Sequence, residues 1–236
     1  MMASVVQPTQ AAIDPIARML PAVESRRWAW PLVFLVVGAT LSGLAVSSRW
    51  DASTPTIREL EAQGELQKLT EQELGEKVTT AQRIRIVSSI AKGIFWVPLS
   101  VLLLGLVLEL VGWLFGRPAP FSRYFSAAAI STMPIALFHI LFAICAFRQF
   151  SISDAQIPFI LPSHLAALFP KVSPAAFRAL SSVDLFGLWT AVLLGLGFSA
   201  ASGMRKGRSL LVGISLYAIY ACVFVIGLPG LRGGPA

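Results

Sequence analysis

The chain has 236 residues, of which 56% are hydrophobic and 13% charged, with a net charge of +7 and a pI near 10.0. Soluble domains carry about 25% charged residues, and a chain this apolar, with a mean hydropathy of +0.72, cannot cover a surface that faces water. The basic excess has no aromatic interleaving and no nucleic-acid motif, so nucleic acid is set aside as a partner and the lipid bilayer is the expected environment.

Residues 1–27 read as a cytoplasmic N-terminal segment that holds Arg18, Arg26 and Arg27. A spanning helix needs about 20 apolar residues, and the first such run covers residues 28–48. It is too long for a signal-peptide core and lacks a convincing cleavage site; Pro31 in its first turn is harmless. An outer loop, 49–93, carries seven Lys or Arg and seven acids. From Thr56 to Lys92 it has no proline, and Ile57, Leu60, Leu66, Leu69, Leu74, Val78 and Ile84 recur with a rough helical period, so one or two amphipathic helices are expected outside the membrane. Such an arm either lies on the bilayer or docks another protein.

The second span covers 94–116 and is the only one of the five interrupted by a charge, Glu109. A short cytoplasmic loop, 117–123, leads to the third span, 124–147. Pro98 and Pro134 lie deep enough to kink their helices. The outer segment 148–184 is apolar but broken by Pro158, Pro162, Pro170 and Pro174, which predicts short helices in the membrane interface; Ser173-Pro174 makes a good helix start. The fourth span, 185–203, a basic cytoplasmic loop, 204–208, the fifth span, 209–228, and an outer tail, 229–236, complete the chain.

The expected class is all-α, a polytopic membrane protein. Lipid offers backbone groups no partners, so each span must satisfy its own as a helix, and the alternating ten-residue strands of a barrel are missing. Arg117 and Arg123, the run Arg205, Lys206 and Arg208, and the N-terminal arginines fall on one side of a five-helix path. That side is read as cytoplasmic, which places the N-terminus inside and the C-terminus outside.

Asp184 stands one residue before the fourth span, where a carboxylate can cap free N–H groups at the positive end of the helix dipole. Phe186 and Trp189 suit the aromatic belt; contact of Asp184 with an outer-face ligand is the other reading. Ala191, Gly195, Ser199, Gly203 and Gly207 recur every four residues, a small-residue stripe that lets another helix approach closely. It serves either internal packing or a partner helix, and Gly112-Trp113-Leu114-Phe115-Gly116 is a lone, weaker case. An intramembrane acid is a functional candidate by default, and at 1.5 Å per residue Glu109 lies about 10 Å from the inner end of its span. The same arithmetic predicts a polar layer of Glu109 with Ser131, Thr132, Ser199 and Ser215, while His139 is offset toward the outer side. Glu109 is either a hydrogen-bonded structural acid or part of a proton or ion pathway.

No catalytic motif appears: two histidines, no HExxH, no GxSxG elbow and no P-loop. Cys145 and Cys222 fall in apolar runs, where free cysteine packs as a small hydrophobe, and no metal spacing exists. No catalytic residue, metal or cofactor is therefore expected.

The stretch Asp184-Leu185-Phe186-Gly187-Leu188-Trp189, the glycine-rich helix after it, the turn Arg205–Arg208 and the last helix resemble the Yip (Ypt-interacting protein) family, particularly its bacterial branch. The approach Arg26-Arg27-Trp28-Ala29-Trp30-Pro31-Leu32 is similar to that family's entry into its first helix. The resemblance implies a five-helix Yip-like bundle. Eukaryotic members act with Rab-type GTPases in vesicle traffic, but their DLYGP-type motif is absent here, so a Rab-type GTPase is not an expected partner. Bacterial members are often encoded beside efflux or ABC-type export machinery. The resemblance thus implies a non-enzymatic accessory or scaffold subunit in the bacterial cytoplasmic (inner) membrane, with transporter subunits or a second copy of itself as partner. Two other classes stay open: an autonomous transporter or channel using Glu109, and a membrane-organisation or trafficking protein, for which the interfacial segment 148–183 is the physical support.

Overall fold

The computed structural model describes residues 15–169 and 171–227. The first 14 residues of the predicted N-terminal segment, Pro170, the last residue of the predicted fifth span and the tail 229–236 lie outside the described residues. The fold is all-α. Among the described residues no strands form, only isolated bridges between Trp50 and Ile152 and between His164 and Asp184.

Among the described residues five helices are long and apolar enough to cross a membrane. A short helix, α1 (Pro15–Glu24), precedes the first of them, α2 (Ala29–Arg49). After α3 (Ser53–Ala62) comes a helix of 44 residues, Glu71–Leu114. It comprises α4 (Glu71–Ala91), a π-helical turn at Lys92–Trp96 and α5 (Val97–Leu114). The third, Phe121–Phe147, is α6 (Phe121–Ser131) and α7 (Met133–Phe147). A short helix, α8 (Pro174–Ser181), leads to α9 (Leu185–Ser202) and α10 (Lys206–Tyr220), which ends in a π-helical turn, Ala221–Gly227.

Prolines account for the irregularities of the second and third of these helices. Pro98 has no N–H for the carbonyl four residues back and its ring crowds that carbonyl, and the π-helical turn Lys92–Trp96 sits there. Pro134 has the same effect on the third helix, which breaks at Thr132 (φ −83°, ψ 1°). The one or two helices expected within the loop 49–93 are present as α3 and α4, and α4 is continuous with the second span. Thr70 opens α4 with a capping box, its side chain and that of Glu73 each serving the other's backbone, and the helix then runs without interruption into the second span. At 1.5 Å per residue, 44 residues make about 66 Å, roughly twice the thickness of a bilayer's hydrocarbon core. Charged residues do not break a helix, and only Gly93 lies at the expected boundary.

The chain divides into two compact units. One takes residues to Leu35, Pro98–Phe138 and those from Pro162; the other takes Val36–Val97 and His139–Leu161.

The first unit is built around α9, which packs against α10, α6 and α1. Leu193 and Phe198 on α9 are fully buried, as are Tyr124 and the run Ala127–Ile130 on α6. The Tyr124 and Phe198 rings stack 6.0 Å apart, and the Tyr124 hydroxyl donates to the Arg117 carbonyl at 2.6 Å. Helix α1 is part of this core: Met19, Ala22 and Val23, one face at helical spacing, are buried. Glu24 pairs with Arg123 at 3.7 Å, and Trp28 meets the Phe125 ring edge-on at 5.2 Å. The N-terminal segment was expected only as a cytoplasmic lead-in, yet its residues 15–24 form a packed helix.

In the second unit, Ala45, Val46, Ala143, Ala146 and Ile152 form a small core. The C-terminal half of α2 lies along α4. A Cβ on Gly93 would overlap Thr40, Gly43 faces Ser89, and Ser47 bonds Ser89 hydroxyl to hydroxyl at 2.6 Å. The Arg85 guanidinium donates to Asp154 at 2.9 Å and sits 4.0 Å over the Trp50 ring. The Ile152 N–H donates to the Arg49 carbonyl at 2.7 Å, and its carbonyl accepts from Asp51 N–H at 3.0 Å. Asp51 also accepts from the Ser53 and Thr54 hydroxyls, and these bonds, Ser53's first, hold its carboxyl below the usual carboxylate range.

Candidate functional site

The family-like stretch lies at the mouth of α9. Asp184 is the N-cap of that helix: one oxygen accepts the Gly187 N–H at 2.7 Å and the other the Ser163 hydroxyl at 2.5 Å. The backbone repeats the join, with Leu185 N–H donating to Ser163 carbonyl and Leu165 N–H to Val183 carbonyl. Both carboxylate oxygens are engaged within the chain. Phe186 turns inward, 8% exposed, with its ring edge-on to Phe138 at 5.6 Å, and Trp189 is half-buried. Gly187 leaves room for Tyr217, whose hydroxyl donates to the Ser182 carbonyl at 2.6 Å. The mouth is therefore a lock joining a loop, α8, α9 and α10. Nothing local in the sequence points to Ser163 or Tyr217, which lie 21 and 33 residues from Asp184 along the chain.

The small-residue stripe is used inside the chain. A Cβ on Gly195 would come within 2.7 Å of the Leu210 Cα and 2.8 Å of the Ser209 carbonyl oxygen, and one on Gly213 would collide with the Ala191 carbonyl. Ala191 is 3% exposed. Gly203 ends α9 in the left-handed conformation (φ 69°), the usual place for glycine at a helix C-terminus, and Ser199 donates to the Met204 carbonyl across that turn. Gly207 has no neighbour close to where a Cβ would stand. The reading of this stripe as a surface for a partner helix is corrected for Ala191 and Gly195, because α10 already covers them. Gly213, the matching residue on α10, lies outside the four-residue series, so that spacing does not point to it.

The expected polar layer is not assembled by hydrogen bonds. Thr132 donates to the Ala129 carbonyl and Ser199 to that of Met204, so local backbone takes the donors that were expected to reach across helices. Ser131 is fully buried on α6 near Gly197, and its hydroxyl has no partner among the described residues. Ser215 is exposed on α10. Glu109 is half-buried on α5, beside the inward face made by Val101, Gly105, Leu108 and Gly112. It lies within electrostatic range of Tyr124 but makes no hydrogen bond or ion pair among the described residues. Polar contacts that do cross between helices lie elsewhere, among them the Ser42 hydroxyl and His139 Nδ1, 2.9 Å apart in the second unit.

The arm offers a different kind of site. Helices α3 and α4 enclose a groove of about 530 Å³. Its apolar side chains include Leu60, Leu69, Ala81 and Ile84, and its charged ones are Glu59, Glu73, Glu76 and Lys77. Lys77 is held at 3.1 Å by Glu65, so acid dominates the rim. Among the described residues no group of three or more His, Cys, Asp or Glu side chains could hold a metal ion.

A family profile described as the Yip1 domain matches residues 6–227 of the chain. No curated protein and no solved structure matches it.

Proposed function

From the premise that this chain belongs to the Yip1 domain family and is an integral membrane protein with several apolar helices, we propose that it is a non-enzymatic accessory or scaffold subunit. Its partner surface is the outer arm, Thr56–Lys92, and the partner is a membrane transport or efflux complex of the ABC type. The observation that carries the scaffold reading is the groove between α3 and α4. It combines apolar side chains with an acidic rim, which suits a basic amphipathic helix of another protein. Ile84 and Val87, about two-thirds exposed on α4, add apolar contact area. The choice of a transport complex rests on the resemblance to bacterial family members. So does the placement in the bacterial cytoplasmic membrane, while an N-terminus inside and a C-terminus outside follow from the loop charges. An autonomous transporter using Glu109 draws less support, since Thr132 and Ser199 donate to local carbonyls and build no polar layer around it.

The test is affinity capture from native membranes in lipid nanodiscs, with partners quantified by mass spectrometry. The double variant Glu59→Lys, Glu76→Lys reverses charge on two exposed residues and is expected to lower recovery of a stoichiometric transport partner by about tenfold. Gln63→Lys, inside the same groove but replacing no acid, should cost far less. Equal recovery from wild type and the double variant sinks the arm as the docking surface. Counterion-coupled flux through the reconstituted protein alone, abolished by Glu109→Gln, would replace this reading by an autonomous transporter.

A further inference from the structure

Within the first unit, α5 and α10 leave between them a second groove, of about 380 Å³. Its side chains on α10, Arg208, Leu211, Val212, Ser215, Leu216 and Ile219, recur at three- and four-residue steps and so share one helix face. Val111 and Phe115 line it from the other side. Leu211, Ile219 and Phe115 are each more than half exposed, although these residues belong to, or adjoin, helices of membrane-spanning length. In a bilayer such a face is covered by acyl chains or by another helix.

The charge at one end of the groove decides between them. Arg208 stands in the first turn of α10, at the N-terminal limit of the lined face. Arg205 and Lys206 stand beside it, and Arg117 follows Phe115 by two residues. The ion pairs of the described residues are Lys77–Glu65, Arg85–Asp154 and Arg123–Glu24, and none uses these four cations. No acid lines the groove. An apolar slot a few turns long, closed at one end by an arginine without a carboxylate, matches a phospholipid with its chain in the slot and its phosphate on the guanidinium. Arginine's planar fork suits bidentate phosphate binding, and basic pockets between spanning helices are known lipid-headgroup sites.

We propose that this groove holds one anionic phospholipid of the surrounding membrane, its phosphate on Arg208 and an acyl chain along Val111, Leu211, Leu216 and Ile219. The inference needs only that the protein spans a bilayer; it does not depend on the accessory-subunit reading.

The full chain in detergent micelles is titrated with phosphatidylglycerol and with phosphatidylcholine of identical chains, and bound lipid is counted by native mass spectrometry. Wild type is expected to retain one phosphatidylglycerol with about a tenfold preference over phosphatidylcholine, which has the same phosphate but whose choline cation offsets the attraction of Arg208. Arg208→Gln should remove most of that preference, and Arg208→Lys, which keeps the charge but loses the fork, should fall between. Lys206→Gln removes the same charge outside the groove and should stay within about twofold of wild type. Leu216→Trp, which fills the slot, should lower retention of both lipids while the thermal unfolding midpoint holds. The proposal is overturned if Arg208→Gln and Lys206→Gln weaken retention equally, if both lipids bind alike, or if a second copy of the chain occupies the groove in place of lipid.

Discussion

Two helix pairs in this protein solve the same problem with different balances of close packing and hydrogen bonding. The α9–α10 pair closes on small residues: Gly195 meets the backbone of Leu210 and Ser209, and Gly213 meets the backbone of Ala191. Where α2 meets α4, glycine also closes part of the contact, Gly43 on Ser89 and, just past α4, Gly93 on Thr40, but hydrogen bonds are added, Ser47 with Ser89 and Gln82 with the Ser48 carbonyl, and Arg85 against Trp50 and Asp154 stands beside the pair. A membrane helix gains little from burying apolar surface against another helix, since lipid is equally apolar, and what remains is close packing and hydrogen bonding. Close packing leaves no slack, because a backbone cannot rotate aside as a side chain can. Hydrogen bonds are individually small and can be replaced. The first pair should therefore be brittle, and the second tolerant at its hydrogen-bonded positions.

The sharpest break of this contrast is Gly195→Leu. The added side chain has only backbone in front of it, so the expected loss is about 3 kcal/mol, the upper range for overpacking, read as a drop in the reversible unfolding midpoint in mild detergent. Stability equal to wild type would show that α10 does not sit on this face. Next is Asp184→Ala at the entrance to the same pair, expected to cost about 1 kcal/mol through loss of the helix cap. Asp184→Asn, which keeps an oxygen acceptor, should recover most of it; equal losses for the two would assign the effect to charge instead.

On the polar side, Arg85→Ala removes a half-exposed ion pair and a stacked cation together, for an expected loss of about 1 kcal/mol. Arg85→Lys should restore only part, lacking the planar group that lies over Trp50. A double-mutant cycle with Asp154→Asn separates the ion pair from the stack. The smallest effect belongs to Ser47→Ala, about 0.6 kcal/mol, the average for a hydrogen bond between spanning helices. A loss as large as that of Gly195→Leu would erase the distinction between the two pairs.

Much of this architecture was open to reading along the chain, because its signals are local. A run of about 20 apolar residues must be a helix in lipid, and five such runs are present. An acid directly before an apolar run meets free amides wherever that helix begins, and Asp184 does so. Met19, Ala22 and Val23 already carried the spacing of a buried face, but their setting among arginines and prolines resembled a tail. The continuity from Glu71 to Leu114 was hidden by composition: charge ends a membrane run in a hydropathy profile without ending a helix.

The sequence alone determined which apolar runs are helical, where prolines disturb them and where charge gathers, because backbone hydrogen bonding and the cost of unpaired polar groups in lipid act within a few residues. Only the tertiary structure decided which helix fills the small-residue stripe, that Thr132 and Ser199 bond locally instead of meeting Glu109, and that His139 finds Ser42 and Arg85 finds Asp154. Those last partners stand 97 and 69 residues apart in the chain. A pairing at that distance is set by how whole helices pack against each other, and side-chain periodicity within one helix carries no record of its neighbour.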